Sequence, residues 1–359
     1  MRPLVSILIP AFNASEYIAD TLRSALAQSW PHKEIIVVDD GSTDATLAIA
    51  RSFRSREVLV VTQPNRGAAA ARNAALSLSQ GDVIQWLDAD DLLAPDKITR
   101  QMEASVTADS DRTLFSSSWG TFFHRPSRTR FVASPLWCAL SPIDWLLRKL
   151  QHNAYMQTAT WLVSRKLTDA SGPWDTRLSN DDDGEYFARV VAASTGVWFV
   201  PAARVMYRLS GVRQLSYVGF SDRKLESLAL SMGLQIRYMR NLEDSDRVRA
   251  ACRTLLQRNA IYFYPQRPDL VAALSQLAAD LGGSLDVPRL PPKFDWIRKV
   301  FGWHTAKSVR FVGPEIRWWF VRRWDKALAR LERPGDPAEP LSPWHGESAP
   351  GPGRPTHRA

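Results

Sequence analysis

The chain has 359 residues, 45% of them apolar and 23% charged, which is long enough for one large folded domain or two and too apolar for disorder throughout. Its two cysteines, Cys138 and Cys252, are too few and too far apart for a disulfide framework, a zinc site or a redox pair, so a reducing compartment is expected. The formal charge of +9, from 46 Lys and Arg against 37 Asp and Glu, admits a nucleic acid or an anionic membrane as partner, and the position of that charge decides between them.

The first hundred residues alternate short β-rich runs with helical patterns, the pattern of a parallel sheet with crossover helices. The runs are Val5 to Ile9, Glu34 to Val38, Val58 to Val61 and Val83 to Leu87. Between the first two, Ser15 is the expected cap of a helix carrying Ile18, Leu22, Ala25 and Leu26, which ends near Trp30 and Pro31. Ser42 or Thr43 is the expected cap of the next helix, with Leu47, Ile49 and Ala50. The alanine-rich stretch from Gly67 to Leu78 has high helix propensity and stops by Gly81. These pieces make a βαβαβαβ open sheet.

Beyond Leu114 the pattern is irregular, as expected of a binding surface. A strand is predicted at Thr113 to Ser116, then a polar loop from His124 to Arg130, and Ser141 with Pro142 should start a helix over Ile143 to Leu150. Thr160 to Val163 reads as a strand, Asp182 to Ala193 as a helix and Val197 to Val200 as a buried strand. After Ser221 the periodicity is all helical, with one long helix through Leu225 to Met239 and another over Val271 to Leu281. A boundary is therefore placed near residue 220. Arg333 to Ala359 holds seven prolines and almost no apolar residues, and is expected to be a disordered tail.

Ligands of open α/β sheets bind outside the carboxyl ends of the strands, and here those ends are acidic. The second run closes in Asp39 and Asp40, followed by Gly41, Ser42, Thr43 and Asp44, and the fourth in Asp88, Ala89, Asp90 and Asp91. Carboxylates gathered at two strand ends repel one another unless a cation or a hydrogen-bonding ligand compensates. A turn with a helix cap accounts for the first set equally well; capping alone does not account for three carboxylates in four residues. An Asp-x-Asp pair offers hard oxygens to Mg or Mn and leaves positions open for substrate phosphates.

The order of VSILIPAFN, EIIVVDDGSTDAT, NRGAAAARNAAL and QWLDADD resembles family 2 glycosyltransferases of the GT-A fold, most strongly over the first hundred residues and more weakly to about residue 220. The resemblance implies a GT-A, Rossmann-like, mostly parallel open α/β sheet with flanking helices, followed by an all-helical carboxy-terminal extension. It implies a catalytic domain over 1–220, divided into a nucleotide-binding half at 1–110 and an acceptor-binding half at 111–220. Pro10, Phe12 and Asn13 would line the base pocket of a nucleotide-sugar donor, and Asp40 would accept from the imide NH of a uracil-like base. Arg66 would face the phosphates, Asp88 the ribose and Asp90 the Mn or Mg ion. Without the resemblance, Phe12 reads as core and Arg66 as a solvated charge.

Inverting transfer from a nucleotide sugar needs a carboxylate that takes the acceptor's proton and a cation that stabilises the leaving diphosphate. A second acidic cluster stands at Asp181, Asp182, Asp183 and Glu185, ahead of Tyr186, Phe187, Val190 and Val191. By resemblance to the family's Glu-Asp motif, Asp183 is the general base and Asp182, where Glu is usual, the alternative. Helix-dipole placement explains one or two of these carboxylates, not four. Trp174 in the preceding GPWDTRLSN is expected to pack rather than bind sugar. Arg208, Arg213 and Gln214 follow the last strand, where the family places a loop over the diphosphate. The Gln-x-x-Arg-Trp motif of processive members is absent, which points to one or few sugars per acceptor.

From Asp286 to Glu332, eleven Lys and Arg stand against five acids, so six of the nine net charges are local. Phe294, Trp296, Phe301, Trp303, Phe311, Trp318, Trp319, Phe320 and Trp324 are interleaved with them, as in a helix lying on an anionic bilayer. The alternative is a helical hairpin that packs its aromatics on the catalytic domain. No run approaches the roughly 18 apolar residues of a membrane span, and MRPLVSILIPAFN lacks the features of a secretory signal. A cytoplasmic enzyme is expected, with peripheral attachment to the cytoplasmic membrane face as the extension. Its expected partners are a UDP-sugar and a glycan or lipid-linked acceptor used in cell-surface polysaccharide synthesis, and no nucleic acid. A sugar-phosphate nucleotidyltransferase would want a basic glycine-rich loop after the first strand, which PAFNASEY is not. A non-catalytic membrane scaffold would show gaps in the acidic set, and there are none. Kinases and dehydrogenases would need a Walker loop or a Rossmann glycine fingerprint, both missing.

Overall fold

The computed structural model describes residues 2–106, 111–210 and 221–332. The boundary placed at 220, Arg213 and Gln214, and the tail from Arg333 lie outside the described residues.

The amino-terminal half runs β1 (Val5–Ala11), α1 (Ile18–Leu26), β2 (Lys33–Asp39), α2 (Thr46–Ser52), β3 (Val58–Thr62), α3 (Ala68–Leu78), β4 (Val83–Trp86), β5 (Leu92–Leu93) and α4 (Lys97–Ser105). Then come β6 (Thr113–Phe122), β7 (Arg130–Phe131), α5 (Pro142–His152), β8 (Val163–Ser164), α6 (Arg165–Ser171), α7 (Asp182–Ala193) and β9 (Gly196–Arg208). Helices α8 (Asp222–Leu242), α9 (Asp246–Phe263), α10 (Pro268–Asp280) and α11 (Asp295–Glu332) complete the chain, α11 breaking at Gly302.

One sheet has the order β3-β2-β1-β4-β8, parallel except for β8. Alternation along its strands sends Ile7, Ile9, Ile35 and Val37 to one face, where Ile18, Leu22 and Ala25 of α1 cover them. Leu8, Ile36, Val38 and Trp86 face the other side, against Ala69, Ala71 and Ala75 of α3 and the aromatics Trp174 and Tyr186. The same core continues through Leu228, Met232 and Ile236 of α8 to Val248 and Cys252 of α9. The helical extension therefore shares a core with the sheet. The second sheet, β5-β9-β6-β7, pairs β6 and β9 in parallel. Its register slips after Ser117, where the prolyl nitrogen of Pro201 has no N–H for the ladder and Ser118 Oγ donates to the Pro201 carbonyl at 3.0 Å.

Several expected starts are corrected. Ser15 does not cap α1: the helix begins after Tyr17 without a side-chain cap, and the Ser15 N–H donates to Asp44. Neither Ser42 nor Thr43 caps α2; Asp44 Oδ1 accepts from the Thr46 N–H at 2.9 Å, while Ser42 and Thr43 bond Asn13. The strand expected at Thr160 to Val163 is a 3-10 turn at Thr158–Thr160 followed by the two-residue β8, because Gln157 caps the turn and accepts from the Ala159 N–H. Ser141 does cap α5, accepting from the Asp144 N–H, and α7 spans the predicted residues.

Candidate active site

The loops leaving β1, β2 and β4 meet at one edge of the first sheet. Asn13, in a left-handed conformation (φ 47°), accepts from the Thr43 N–H at 2.9 Å, and its own N–H donates to Ser42 Oγ at 3.0 Å, so the first two loops are tied together. Gly41 lets the segment after β3 come close as well: its φ is 72°, and a β-carbon there would lie 2.8 Å from Asn65 N. Pro10 is the last residue but one of β1, in register with Val38. Phe12 is 50% exposed, so the core alternative for it fails.

Asp40 is buried beneath the start of α3. Its Oδ1 accepts from Gln63 Nε2 at 2.7 Å and the Arg66 N–H at 2.9 Å, and its Oδ2 from the Gly67 N–H at 2.8 Å. A carboxylate at a helix amino terminus is held both by those N–H groups and by the dipole. Three of roughly four acceptor positions are used. The Arg66 side chain is exposed beside this turn.

Asp88, Asp90 and Asp91 follow β4. Asp91 is fully buried: its Oδ1 accepts from the Arg208 N–H at 2.8 Å, and Gln157 Nε2 donates to its Oδ2. Asp90 Oδ2 accepts from Ser210 Oγ at 2.8 Å, and its carbonyl accepts from Arg208 Nε at 2.8 Å. Burial, and then the charge of Asp88, push the Asp90 carboxyl up to about 6. Burial with Asp90 and Asp88 also raises Asp91. Among the described residues no three Asp, Glu, His or Cys side chains form a ready cation cage. Asp88 and Asp90 nevertheless fit a hard divalent ion: they are two carboxylates with unfavourable mutual charge, and a diphosphate would bring the remaining oxygens.

The second acidic cluster splits three ways. Asp181 (φ 57°) turns toward α8, where its Oδ2 accepts from Ser231 Oγ at 2.6 Å and Gln235 Nε2 at 2.8 Å. Asp182 Oδ2 receives Arg72 Nη1 at 2.6 Å, and Arg72 Nη2 reaches Asp88 Oδ1 at 2.9 Å. Burial works against the Arg72 charge, but Asp182 and Asp88 outweigh it and hold the guanidinium protonated. Among the described residues, no arginine pairs with Asp183. Burial, then Asp182 and Asp181, push its carboxyl up to about 7. Glu185 lies outside the site, held by Arg189 and by the Tyr238 hydroxyl at 2.6 Å.

Arg72 is fixed from below. Trp174 lies under its guanidinium at 4.3 Å and stacks on Tyr186 at 4.0 Å. Asn73 secures the Trp174 loop through hydrogen bonds to the Trp174 N–H and carbonyl. Trp174 thus packs, as expected. Residue-type reasoning missed Arg72, Gln157 and Ser210; Arg72 could have been noticed as the lone cation inside the apolar face of α3.

The last turns of α11 lie against this half of the molecule. Asp325 accepts from the His124 N–H at 2.9 Å and from Arg125 Nε at 2.7 Å; Lys326 pairs with Glu16, and Trp318 packs on Phe123. Trp319, Phe320 and Trp324 stay 45%, 63% and 70% exposed. One side of the helix docks on the catalytic half, as the packing alternative expects, and the other presents aromatics. Among the described residues no helix is long and apolar enough to cross a membrane.

A parallel sheet with acidic loops at its strand ends, joined through a buried arginine to a second acidic turn, is an arrangement of the GT-A fold. Residues 6–132, about a third of the chain, match the model of glycosyl transferase family 2. The putative teichuronic acid biosynthesis glycosyltransferase TuaG of Bacillus subtilis is 46% identical over 105 residues, 28% of this chain and 42% of that protein. The Escherichia coli UDP-Glc:α-D-GlcNAc-diphosphoundecaprenol β-1,3-glucosyltransferase WfaP is 40% identical over 116 residues, 32% and 45% of the two chains. The chain thus matches less than half the length of either relative. The crystal structure of S. aureus TarS 1-349 in complex with UDP is similar in fold, with TM-score 0.57 and 18% identity, covering 86% of this chain and 91% of that one.

Proposed function

We propose that this chain is an inverting glycosyltransferase that moves a sugar from a UDP-sugar to a hydroxyl of a glycan or lipid-linked acceptor in cell-surface polysaccharide synthesis. The observation that carries the reading is the Arg72 fork, which brings Asp182, and with it Asp183, to the crevice that holds Asp88 and Asp90. The UDP bound by the TarS neighbour and the UDP-Glc donor and diphosphoundecaprenol acceptor in the name of WfaP support the substrate classes.

In this reading Pro10, Phe12 and Asn13 flank the base, Asp40 offers its remaining acceptor position to a ring NH, and Arg66 faces the phosphates. Asp88 contacts the ribose. Asp90 would hold a Mn or Mg ion, which when bound neutralises the leaving diphosphate. Asp183 takes the acceptor's proton, since a carboxyl poised near 7 suits a general base at neutral pH. Asp182, the alternative, is bound to Arg72 and is the poorer proton acceptor. Domain limits of 1–220 for catalysis and 221–332 for the helical region go with this assignment, as does peripheral attachment through 286–332 on the cytoplasmic face of the membrane.

A screen of UDP-, GDP- and other nucleotide sugars for Mn-dependent hydrolysis and thermal stabilisation tests it. Stabilisation by one nucleotide class, strengthened by Mn, is expected. If none stabilises or reacts, the reading is wrong.

A further inference from the structure

Trp119 on β6, Tyr155 after α5 and Tyr207 on β9 form a cluster that neither the donor roles nor the base role uses. The Tyr155 and Trp119 rings lie 4.9 Å apart and tilted by 43°, and Tyr207 meets Trp119 edge-on at 6.0 Å. Packing explains the half-buried Trp119 and Tyr207, but Tyr155 leaves 54% of its surface open. The Trp119 Nε1–H is buried and finds no acceptor among the described residues.

The cluster is placed by the acidic site. Tyr155 precedes by two residues Gln157, which donates to Asp91, and Tyr207 adjoins Arg208, whose N–H donates to the other Asp91 oxygen. Burial and then the charge of Asp183 raise the Tyr155 phenol, and burial with Asp91 and Asp90 raises Tyr207. The hydrogen bonds to Asp91 therefore set the cluster beside the 88–91 loop.

We propose that Trp119, Tyr155 and Tyr207 form a stacking platform for the pyranose ring of the acceptor, which makes the group that receives the sugar itself a sugar rather than a bare lipid or protein hydroxyl. This rests on the glycosyl-transfer reading above. A pyranose has an apolar C–H face and an edge of hydroxyls; an aromatic surface takes the first and carboxylates the second. A ring laid on Tyr155 would turn its hydroxyl edge toward the acidic loop that Gln157 and Arg208 bind.

Saturation-transfer NMR on the full chain tests this with methyl β-D-glucopyranoside, methyl β-D-galactopyranoside and methyl N-acetyl-β-D-glucosaminide as probes, alongside a separate UDP titration. At least one pyranoside should receive saturation at its ring protons. Tyr155→Ala should cut that signal about fivefold, as loss of a stacking contact predicts, and leave UDP binding unchanged; Tyr155→Phe should keep it. Tyr155 is exposed, so these variants should fold, and Trp119→Phe gives a second readout in the same direction. Unchanged saturation in Tyr155→Ala, equal loss in Tyr155→Phe, or no saturation of any pyranoside overturns the platform. Loss of pyranoside binding in Tyr155→Ala with no UDP binding by the wild type would uphold the platform and sink the donor reading instead.

Discussion

Arg72 Nη1 lies 2.6 Å from Asp182 Oδ2, and the other arm of the same guanidinium holds Asp88. A buried cation shared by two carboxylates cannot be removed without leaving like charges face to face in a poorly solvated place. Arg72→Met is expected to cost about 3 kcal/mol of stability. It should also lower transfer by about a hundredfold, the scale of a small displacement of catalytic groups. Arg72→Lys keeps the charge but not the fork, so it should recover stability more than activity. Thermal unfolding and transfer rates measured on both variants decide the matter. Wild-type values for Arg72→Met would show that the bridge positions nothing.

The Asp183 carboxyl, pushed up to about 7, makes two pH dependences. As a base it works only when ionised, so kcat/KM should fall about tenfold per pH unit below about 7. Asp183→Asn should abolish transfer at every pH. For stability the sign is the opposite. The folded state binds this proton more tightly than the unfolded chain, whose carboxyl has the ordinary value. The native fold is therefore favoured below about pH 4 and loses that advantage as pH rises to about 7. Asp183→Asn should thus be about 1–3 kcal/mol more stable than wild type at pH 8, with part of the difference screened by solvent. Denaturant titrations from pH 4 to 8 read it directly, and a variant less stable at pH 8 would refute the assignment.

Asp90 is burdened by burial and by Asp88 until its carboxyl rises to about 6, a cost that a divalent ion would relieve. Asp90→Asn should raise the melting temperature of the metal-free protein by a few degrees, about 1 kcal/mol in a chain of this size. The same variant should lose the extra stabilisation that Mn gives together with UDP. Differential scanning calorimetry with UDP, Mn, both and neither separates the four states. An undiminished Mn effect in Asp90→Asn would move the ion elsewhere.

The parts of this arrangement legible in the sequence are those written in local pattern. The strands β1, β2 and β4 are mostly apolar because both faces of a parallel sheet are covered there, and α7 begins where its acidic turn says it should. Cap positions failed for the opposite reason. Ser42 and Thr43 are good cap types, but Asn13, 29 and 30 residues earlier, claims them. Acidic strand ends read as a demand for a cation, and no local pattern says that one comes from the chain itself. Arg72 sits in an alanine-rich helix, 16 residues from Asp88 and 110 from Asp182. The convergence of Trp119, Tyr155 and Tyr207 is likewise tertiary, since these residues lie on two strands and a loop far apart in sequence.

The outer side of α11 supplies the last expected outcome. Asp325 and Lys326 anchor the helix through Arg125, the His124 N–H and Glu16, which leaves Trp319, Phe320 and Trp324 facing away, with Arg323 over the Trp319 ring at 4.6 Å. A docked helix with an outward row of aromatics and arginines suits an anionic bilayer, where indoles sit at headgroup depth and guanidinium groups meet the phosphates. In co-sedimentation, the full chain should bind vesicles containing phosphatidylglycerol and not those of phosphatidylcholine alone, and the bound fraction should fall as salt rises. Replacing Trp319, Phe320 and Trp324 together by Ser should cut binding about tenfold or more, the effect of removing exposed apolar area, with the melting temperature unchanged because none of the three is buried. Equal binding by wild type and this variant would leave the docking of α11 on the catalytic half as its whole role.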